Sequence, residues 1–354
     1  MSVWNSQTYR EDIMHALAVI DVEDLKGKRI LITGASGLIG SAVIDLLVGC
    51  NQVKNAGITI YAAGRNLQKV SERFSHGLNW GLVPVSYDAT EAIRFDFPVD
   101  YIVHGASNAS PDKYVSEPVE TMLANVTGVS ELLSYAVKMQ TKKVVYISSS
   151  EVYGTLAHGK PLVENEYGNV DILSVRSAYP MGKRAAETLC IGYASQYGVD
   201  VSIVRPGHIY GPTALDSDKR VSSLFARQAA EGHDLTMKSA GTQIRSYCHC
   251  IDCATAILAV VTRGVPMQAY NISNRESVIT IREMAQILAK HAGVSLVVDI
   301  PSAAEQVAFN PMDNSSLNSE KLEDLGWRGC FDAELGFAHT VAVLKELDSY
   351  PLDI

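Results

Sequence analysis

The chain has 354 residues, of which 47% are apolar and 19% charged, so it can bury a sizeable core and is not intrinsically disordered. Thirty Lys plus Arg against thirty-nine Asp plus Glu give a formal net charge of −9. With no basic block in the chain, a general nucleic-acid binder is excluded. An anionic small molecule remains possible, provided a local cluster of donors and arginines receives it.

Residues 1–27 read as a polar, acidic lead segment without the charged-then-apolar pattern of a signal peptide, so a cytoplasmic location is expected. The most apolar stretch, Ile30 to Cys50, is broken by Gly34, Gly37, Gly40 and Asp45, and no membrane partner is expected. Short apolar runs at Lys28–Thr33, Ile58–Ala62, Tyr101–His104, Lys143–Ser148 and Val199–Val204 read as buried strands. Helical patterns at Ser41–Val48, Val119–Val137 and Lys183–Tyr197 separate them. All-apolar strands alternating with helices predict an α/β protein with a parallel sheet covered on both faces. Past about Gly211 the rhythm changes: helical segments at Val221–Glu231, Cys253–Val261 and Ile281–Ala292 mix with short strands. The expected division is a sheet domain over mainly 28–205 and a smaller, discontinuous α/β substrate lobe over mainly 206–354, parts of which return to the sheet.

The first strand runs into Gly34-Ala35-Ser36-Gly37-Leu38-Ile39-Gly40 and then a helix. The first glycine permits a tight turn, the second lets the backbone approach a pyrophosphate, and the third lets the helix pack on the strand. Strand before and helix after is the context that makes this a doubly wound Rossmann fold with a bound dinucleotide. The second strand should end in an acid that holds the adenine ribose. Here Gly64 and Arg65 stand there, so this strand end leans toward NADP, with Arg65 available to a 2′-phosphate, and leaves NAD open through Arg65 stacking on adenine; NAD is the cofactor expected for the chain as a whole. Asp88, after the third strand, is either an adenine contact or a loop residue.

Strand KVVYIS leads into Ser148-Ser149-Ser150-Glu151-Val152-Tyr153-Gly154, and thirty residues past Ser149 stands Tyr179, with Lys183 four further on. That spacing puts tyrosine and lysine on one helix face. A phenol beside an ammonium and a nicotinamide cation should titrate lower and take a proton from a sugar hydroxyl, with Ser149 sharing the hydrogen bond.

Together these features resemble the extended short-chain dehydrogenase/reductases that modify nucleotide sugars, over about Lys28 to Trp327. Within that group the chain looks most like UDP-glucuronate decarboxylases and the related dehydratases and 4-epimerases. The resembling segments are HGASNASPDKY (104–114), SSSEVYG (148–154), ENEYGNVDILSVRSAYPMGKRAAETLC (164–190), RPGHIYGP (205–212) and GTQIRSYCHCIDCA (241–254). The resemblance implies Ser149, Glu151, Tyr179 and Lys183 as catalytic residues. It implies cofactor contacts from Gly34, Ser36, Gly37, Leu38, Ile39, Gly40, Arg65, Asp88, Ala106, Tyr179 and Lys183. Substrate contacts would come from Asn108, Ser150, His208, Arg220 and Arg245, with the arginines gripping a diphosphate. A homodimer through a four-helix bundle, built from Val119–Val137 and Tyr179–Tyr197, is also implied.

Oxidation at sugar C4 is the family's shared first step. A 4,6-dehydratase has an Asp–Glu pair after the serine; here Ser150-Glu151 fills the base position and lacks the acid, the decarboxylase-like pattern. Oxidising C4 turns a uronic acid into a β-keto acid that loses CO2. The decarboxylases also place an arginine two residues before a proline, and the run Val307-Ala308-Phe309-Asn310-Pro311 has Phe309 there. Phe309 counts against decarboxylation, but the Ser150-Glu151 pattern makes it the expected reaction, with epimerisation, dehydration and NADPH-dependent reduction of a 4-keto sugar as alternatives. Cys248, Cys250 and Cys253 with His249 could suggest a metal, but without a second ligand pair they read as buried thiols.

Overall fold

The computed structural model describes residues 2–107, 109, 111–156, 159–299 and 313–349. Asn108, Ser110 and the 307–311 run with Phe309 lie outside the described residues. In chain order the strands are β1 (Arg29–Thr33), β2 (Thr59–Gly64), β3 (Leu82–Ser86), β4 (Tyr101–His104), β5 (Lys143–Ile147), β6 (Val201–Pro206), β7 (His208–Tyr210), β8 (Leu235–Met237), β9 (Ile244–His249), β10 (Ala269–Ile272), β11 (Val278–Thr280) and β12 (Leu296–Val298). The helices are α1 (Gln7–Val19), α2 (Leu38–Lys54), α3 (Leu67–Arg73), α4 (Pro111–Ser116), α5 (Pro118–Lys138), α6 (Ala178–Tyr197), α7 (Val221–Ala230), α8 (Cys250–Arg263), α9 (Ile281–Ala292), α10 (Glu320–Glu323) and α11 (Ala333–Ser349).

The main sheet has the order β10-β6-β5-β4-β1-β2-β3, every neighbouring pair parallel. Apolar residues on both faces of each strand require cover on both sides. Ile30 and Ile32 pack with α2 and α8 on one face. Leu31, Ile102, Val144 and Val201 pack with α5 and α6 on the other. Chain order reverses between β1 and β4, and a crevice opens there at the carboxyl ends of the strands, where open α/β sheets take their ligands. The remaining core gathers Tyr210, Leu235, Tyr247, Met284, Leu288 and Phe337 from α9, α11 and the short strands.

The expected lead segment is structural. Within it, residues 7–19 form α1, whose N-cap Ser6 accepts from the Tyr9 N–H at 3.1 Å. Tyr9, Ile13, Ala16 and Leu17 recur at helical spacing and are buried, and burying Ile13 or Leu17 contributes about 2 kcal/mol each. Glu346 of α11 accepts hydrogen bonds from Ser6 Oγ and the Gln7 N–H, both at 2.7 Å, and from the Thr8 N–H at 3.3 Å. A carboxylate so placed satisfies the orphan donors of α1 and complements its dipole. Burial pushes the Glu346 carboxyl up, but these hydrogen bonds outweigh it and hold it below the usual range.

Cys248, Cys250 and Cys253 are buried where β9 enters α8. Burial pushes all three thiols up, Cys250 to about 12, which makes them poor nucleophiles. Among the described residues no helix is long and apolar enough to cross a membrane.

Candidate active site

The glycine turn closes against the loop that follows β4. Gly34 has φ +71°, and a Cβ there would lie 2.8 Å from the Gly105 carbonyl carbon and 3.0 Å from the Ala106 nitrogen. A Cβ on Gly40 would lie 2.3 Å from the Gly34 oxygen, so the start of α2 rests directly on the turn. Gly37 caps α2 without a side chain, leaving the N–H groups of the first turn, Leu38 and Ile39 among them, without intrahelical acceptors. Ser36 sits in the same bend. Thr33 Oγ1 accepts from the Gly105 and Ala106 N–H groups at 3.2 and 3.3 Å and hydrogen-bonds His104 Nδ1 at 2.7 Å. The result is a backbone cradle too tight for side chains and rich in donors, which fits a dinucleotide pyrophosphate.

At the far end of that cradle Arg65 follows β2, and Asp88 follows β3. Together with Ser86, Glu91 and Arg94 they line a recess of about 190 Å³. Burial pushes Asp88 up, but hydrogen bonds from the Thr90 N–H (2.9 Å) and hydroxyl (2.7 Å), with the Arg65 charge, hold it below the usual carboxylate range. The acid and the arginine thus meet, although they come from different strands.

The residues expected to react converge where β5 ends. Ser149 caps the 3₁₀ turn Ser150–Tyr153, its Oγ accepting from the Glu151 N–H at 3.2 Å, and its hydroxyl also hydrogen-bonds the Tyr179 phenol. Lys183 donates to the Ile147 carbonyl at 2.9 Å and lies 5.8 Å from the Tyr179 ring centroid and 4.8 Å from that of Tyr146. One helix face and one strand end therefore bring Ser149, Tyr179 and Lys183 together. The electrostatics differ from the expectation that the phenol titrates low. Burial pushes Tyr179 up, Glu151 and Tyr114 add to this, and the Ser149 hydrogen bond only partly opposes it. Burial also pushes Lys183 down to about 7, against the pull of Glu187. So depressed, Lys183 favours the phenolate less than an ordinary lysine would.

Two contacts in the site were not foreseen. Arg176 forms a two-pronged pair with Glu151, Nη1 to Oε2 at 3.0 Å and Nη2 to Oε1 at 2.8 Å. Its guanidinium also lies 5.7 Å from the Tyr114 ring centroid, and Tyr114 stacks on Tyr179 with centroids 5.0 Å apart. The sequence signal was Arg176 three residues before Tyr179, one turn back along the helix approach. Deeper in, Arg205 of β6 binds Glu187 of α6 through two hydrogen bonds (2.9 and 2.6 Å), the Tyr153 hydroxyl (3.1 Å) and the Glu164 carbonyl (2.8 Å). Tyr153 in turn donates to Asn271 at 2.6 Å. This buried knot holds the 149–154 turn against β6 and β10.

Across the crevice, His208 of β7 stands opposite Tyr247 of β9. Its Nδ1 is buried without a hydrogen-bond partner among the described residues. Burial, then the charges of Arg245 and Arg220, push the imidazole down to about 3, so it is neutral. Arg220 is the N-cap residue of α7, pairs with Asp218 and donates to the Ile209 carbonyl at 3.3 Å. Its charge is felt at Tyr179 and Tyr114. Arg245 is buried on β9 and donates to the Ile244 carbonyl at 2.8 Å. Two arginines, from the start of α7 and from β9, thus flank a neutral imidazole of β7, and Asp218 offsets the charge of one of them.

Comparison with known proteins agrees with this geometry. The model of the NAD-dependent epimerase/dehydratase family matches residues 30–273. UDP-glucuronic acid decarboxylase 3 of Arabidopsis thaliana is 34% identical over 302 residues, 84% of this chain and 84% of that protein. UDP-glucuronic acid decarboxylase 1 of Xenopus tropicalis is 31% identical over 326 residues, 91% of this chain and 73% of its own length. Among solved structures, UDP-glucuronic acid 4-epimerase of Bacillus cereus, in complex with UDP-glucuronic acid and NAD, superposes with a TM-score of 0.75 at 20% identity, covering 90% of this chain and 99% of its own. A dTDP-glucose 4,6-dehydratase of Streptomyces venezuelae, with NAD bound, gives 0.74 at 25%, covering 90% and 97%. A glycine cradle, a serine–tyrosine–lysine cluster at the strand ends and a match over most of the sheet lead to one conclusion: the chain belongs to the NAD-dependent epimerase/dehydratase family.

Proposed function

We propose that the protein oxidises a nucleotide sugar at C4 with a dinucleotide that it retains, and that it decarboxylates UDP-glucuronate. The observation that carries this reading is the Ser149–Tyr179–Lys183 cluster beside the glycine cradle, with Glu151 following Ser149 and no acid at position 150. The bound dinucleotide, NAD in this reading, would accept hydrogen from C4 and return it. Tyr179 takes the C4 hydroxyl proton, Ser149 holds that oxygen through a shared hydrogen bond, and Lys183 orients the tyrosine. With C4 as a ketone the substrate's own carboxylate lies β to it, and CO2 departs without an acid to expel a hydroxyl. Gly34 to Gly40 and Ala106 hold the dinucleotide, Asp88 and Arg65 its adenosine end. Arg245 and Arg220, with neutral His208 and Ser150, receive the diphosphate sugar.

Further supports extend the reading. Outward apolar residues of α5, such as Val119 and Leu123, suit a homodimer seam with α6. Residues 28–205 serve mainly the dinucleotide and 206–354 mainly the sugar nucleotide, with β10 returning to the sheet. Arg65 beside an acid-free β2 end favours one second reading, an NADPH-dependent 4-keto-sugar reductase.

The test is incubation with UDP-, dTDP-, GDP- and CDP-sugars, UDP-glucuronate included, and mass analysis of the products. Loss of CO2 is expected. Loss of water means a dehydratase, an isomer of unchanged mass means an epimerase, and stoichiometric consumption of NADPH means the reductase.

A further inference from the structure

We propose that Arg176 is a specificity-determining residue, which by pairing with Glu151 cancels the negative charge beside the sugar and so admits a nucleotide sugar bearing a C6 carboxylate. The inference rests on the reading above and names what that site selects. Glu151 lies two residues past Ser149 on the same turn, and its charge acts on both Tyr179 and Tyr114. A bare carboxylate there would repel a uronate, since two like charges a few ångströms apart oppose each other strongly in a partly desolvated cleft. A neutral hexose would feel no such opposition.

Arg176 removes the obstacle. Both of its terminal nitrogens engage both Glu151 oxygens, a fork whose geometry fixes the carboxylate as well as neutralising it. The guanidinium is braced over Tyr114, whose ring lies flat on Tyr179, so the neutralised pair is held one ring away from the reacting phenol. Its side chain remains 51% exposed, so the pair is reachable from solvent. A lysine keeps the charge but not the fork, and a glutamine keeps neither.

The test is calorimetric titration of the NAD-loaded protein, in a Tyr179→Phe background so that ligands are not consumed, with UDP-glucuronate and with UDP-glucose. Arg176→Gln should weaken UDP-glucuronate about tenfold, about 1.4 kcal/mol, while UDP-glucose changes less than about twofold. Adding Glu151→Gln to Arg176→Gln should restore UDP-glucuronate affinity to within about threefold of the parent, because the charge that needed cancelling is gone. Arg176→Lys should retain most of the affinity. Equal weakening of the two ligands, or no restoration by Glu151→Gln, would overturn the proposal. If the intact enzyme releases no CO2 yet this selectivity follows Arg176 as described, the decarboxylase reading falls and the present one stands.

Discussion

Replacing Arg205 by methionine should cost far more stability than its distance from solvent chemistry suggests. Its side chain is 2% exposed and that of Glu187 11%, and the guanidinium donates to both Glu187 oxygens, to the Tyr153 hydroxyl and to the Glu164 carbonyl. Methionine fills much of the volume but leaves Glu187 as an uncompensated buried charge, which costs about 3–5 kcal/mol. Spread over the unfolding entropy of 354 residues, that is a fall in melting temperature of about 4–7 °C. Scanning calorimetry at neutral pH reads it directly. The companion Arg205→Met/Glu187→Leu removes both charges and should recover to within about 1–2 kcal/mol of the parent. Glu187 also pulls on Lys183, so in Arg205→Met the released carboxylate should raise the Lys183 pKa and shift the alkaline side of the rate profile upward. A loss below about 1 kcal/mol in the single variant, or a double variant no better than the single, would show that the ion pair is not what secures this junction.

Tyr179→Phe should abolish most turnover, by about 10³-fold or more, while ligand binding measured by calorimetry persists; unchanged activity would remove the tyrosine from the chemistry. Gly40→Ala puts a methyl 2.3 Å from the Gly34 oxygen and should weaken dinucleotide binding by at least about tenfold, read by fluorescence of the bound cofactor. Lys183, pushed down to about 7 in the fold against an ordinary 10.5, binds fewer protons folded than unfolded between those values. Its own contribution to the stability of the cofactor-free protein should therefore rise with pH across that window, read in urea titrations as a parent that gains stability relative to Lys183→Met as pH increases. Glu346→Ala strips the cap from α1 and should cost about 1–2 kcal/mol at neutral pH. Because the Glu346 carboxyl is held below its unfolded value, its contribution is present above that value and should vanish as pH falls through the folded one, so the variant and parent should converge in acid.

What could be read in the chain was whatever repeats locally. Strands such as β5, buried at every residue, announce themselves by composition, and Gly34-x-x-Gly37-x-x-Gly40 between strand and helix states its own geometry. Tyr179 and Lys183 are one helical turn apart, so their shared face follows from spacing alone. Contacts made across the fold left no such trace. Glu151 and Arg176 are 25 residues apart, and Arg205 and Glu187 are joined by the packing of α6 on β6. α1 was missed because its core residues sit among Arg10, Glu11 and His15, and its apolar stripe acquires meaning only against α2 and α11. The titration of Tyr179 went the other way from expectation for a related reason: spacing reports the neighbouring ammonium, whereas the depth of burial, which depresses that ammonium as well, is a property of the assembled sheet.

The clasp between Ser6, Gln7 and Glu346 also orders events during synthesis. α1 is made more than three hundred residues before α11, which caps it and covers part of its apolar side. Until then Ile13 and Leu17 have only a partial shelter on α2 and α8. Until α11 is made, the apolar side of α1 therefore lacks part of the cover that it has in the folded protein. Closure of the clasp is therefore a long-range step that must wait for α11.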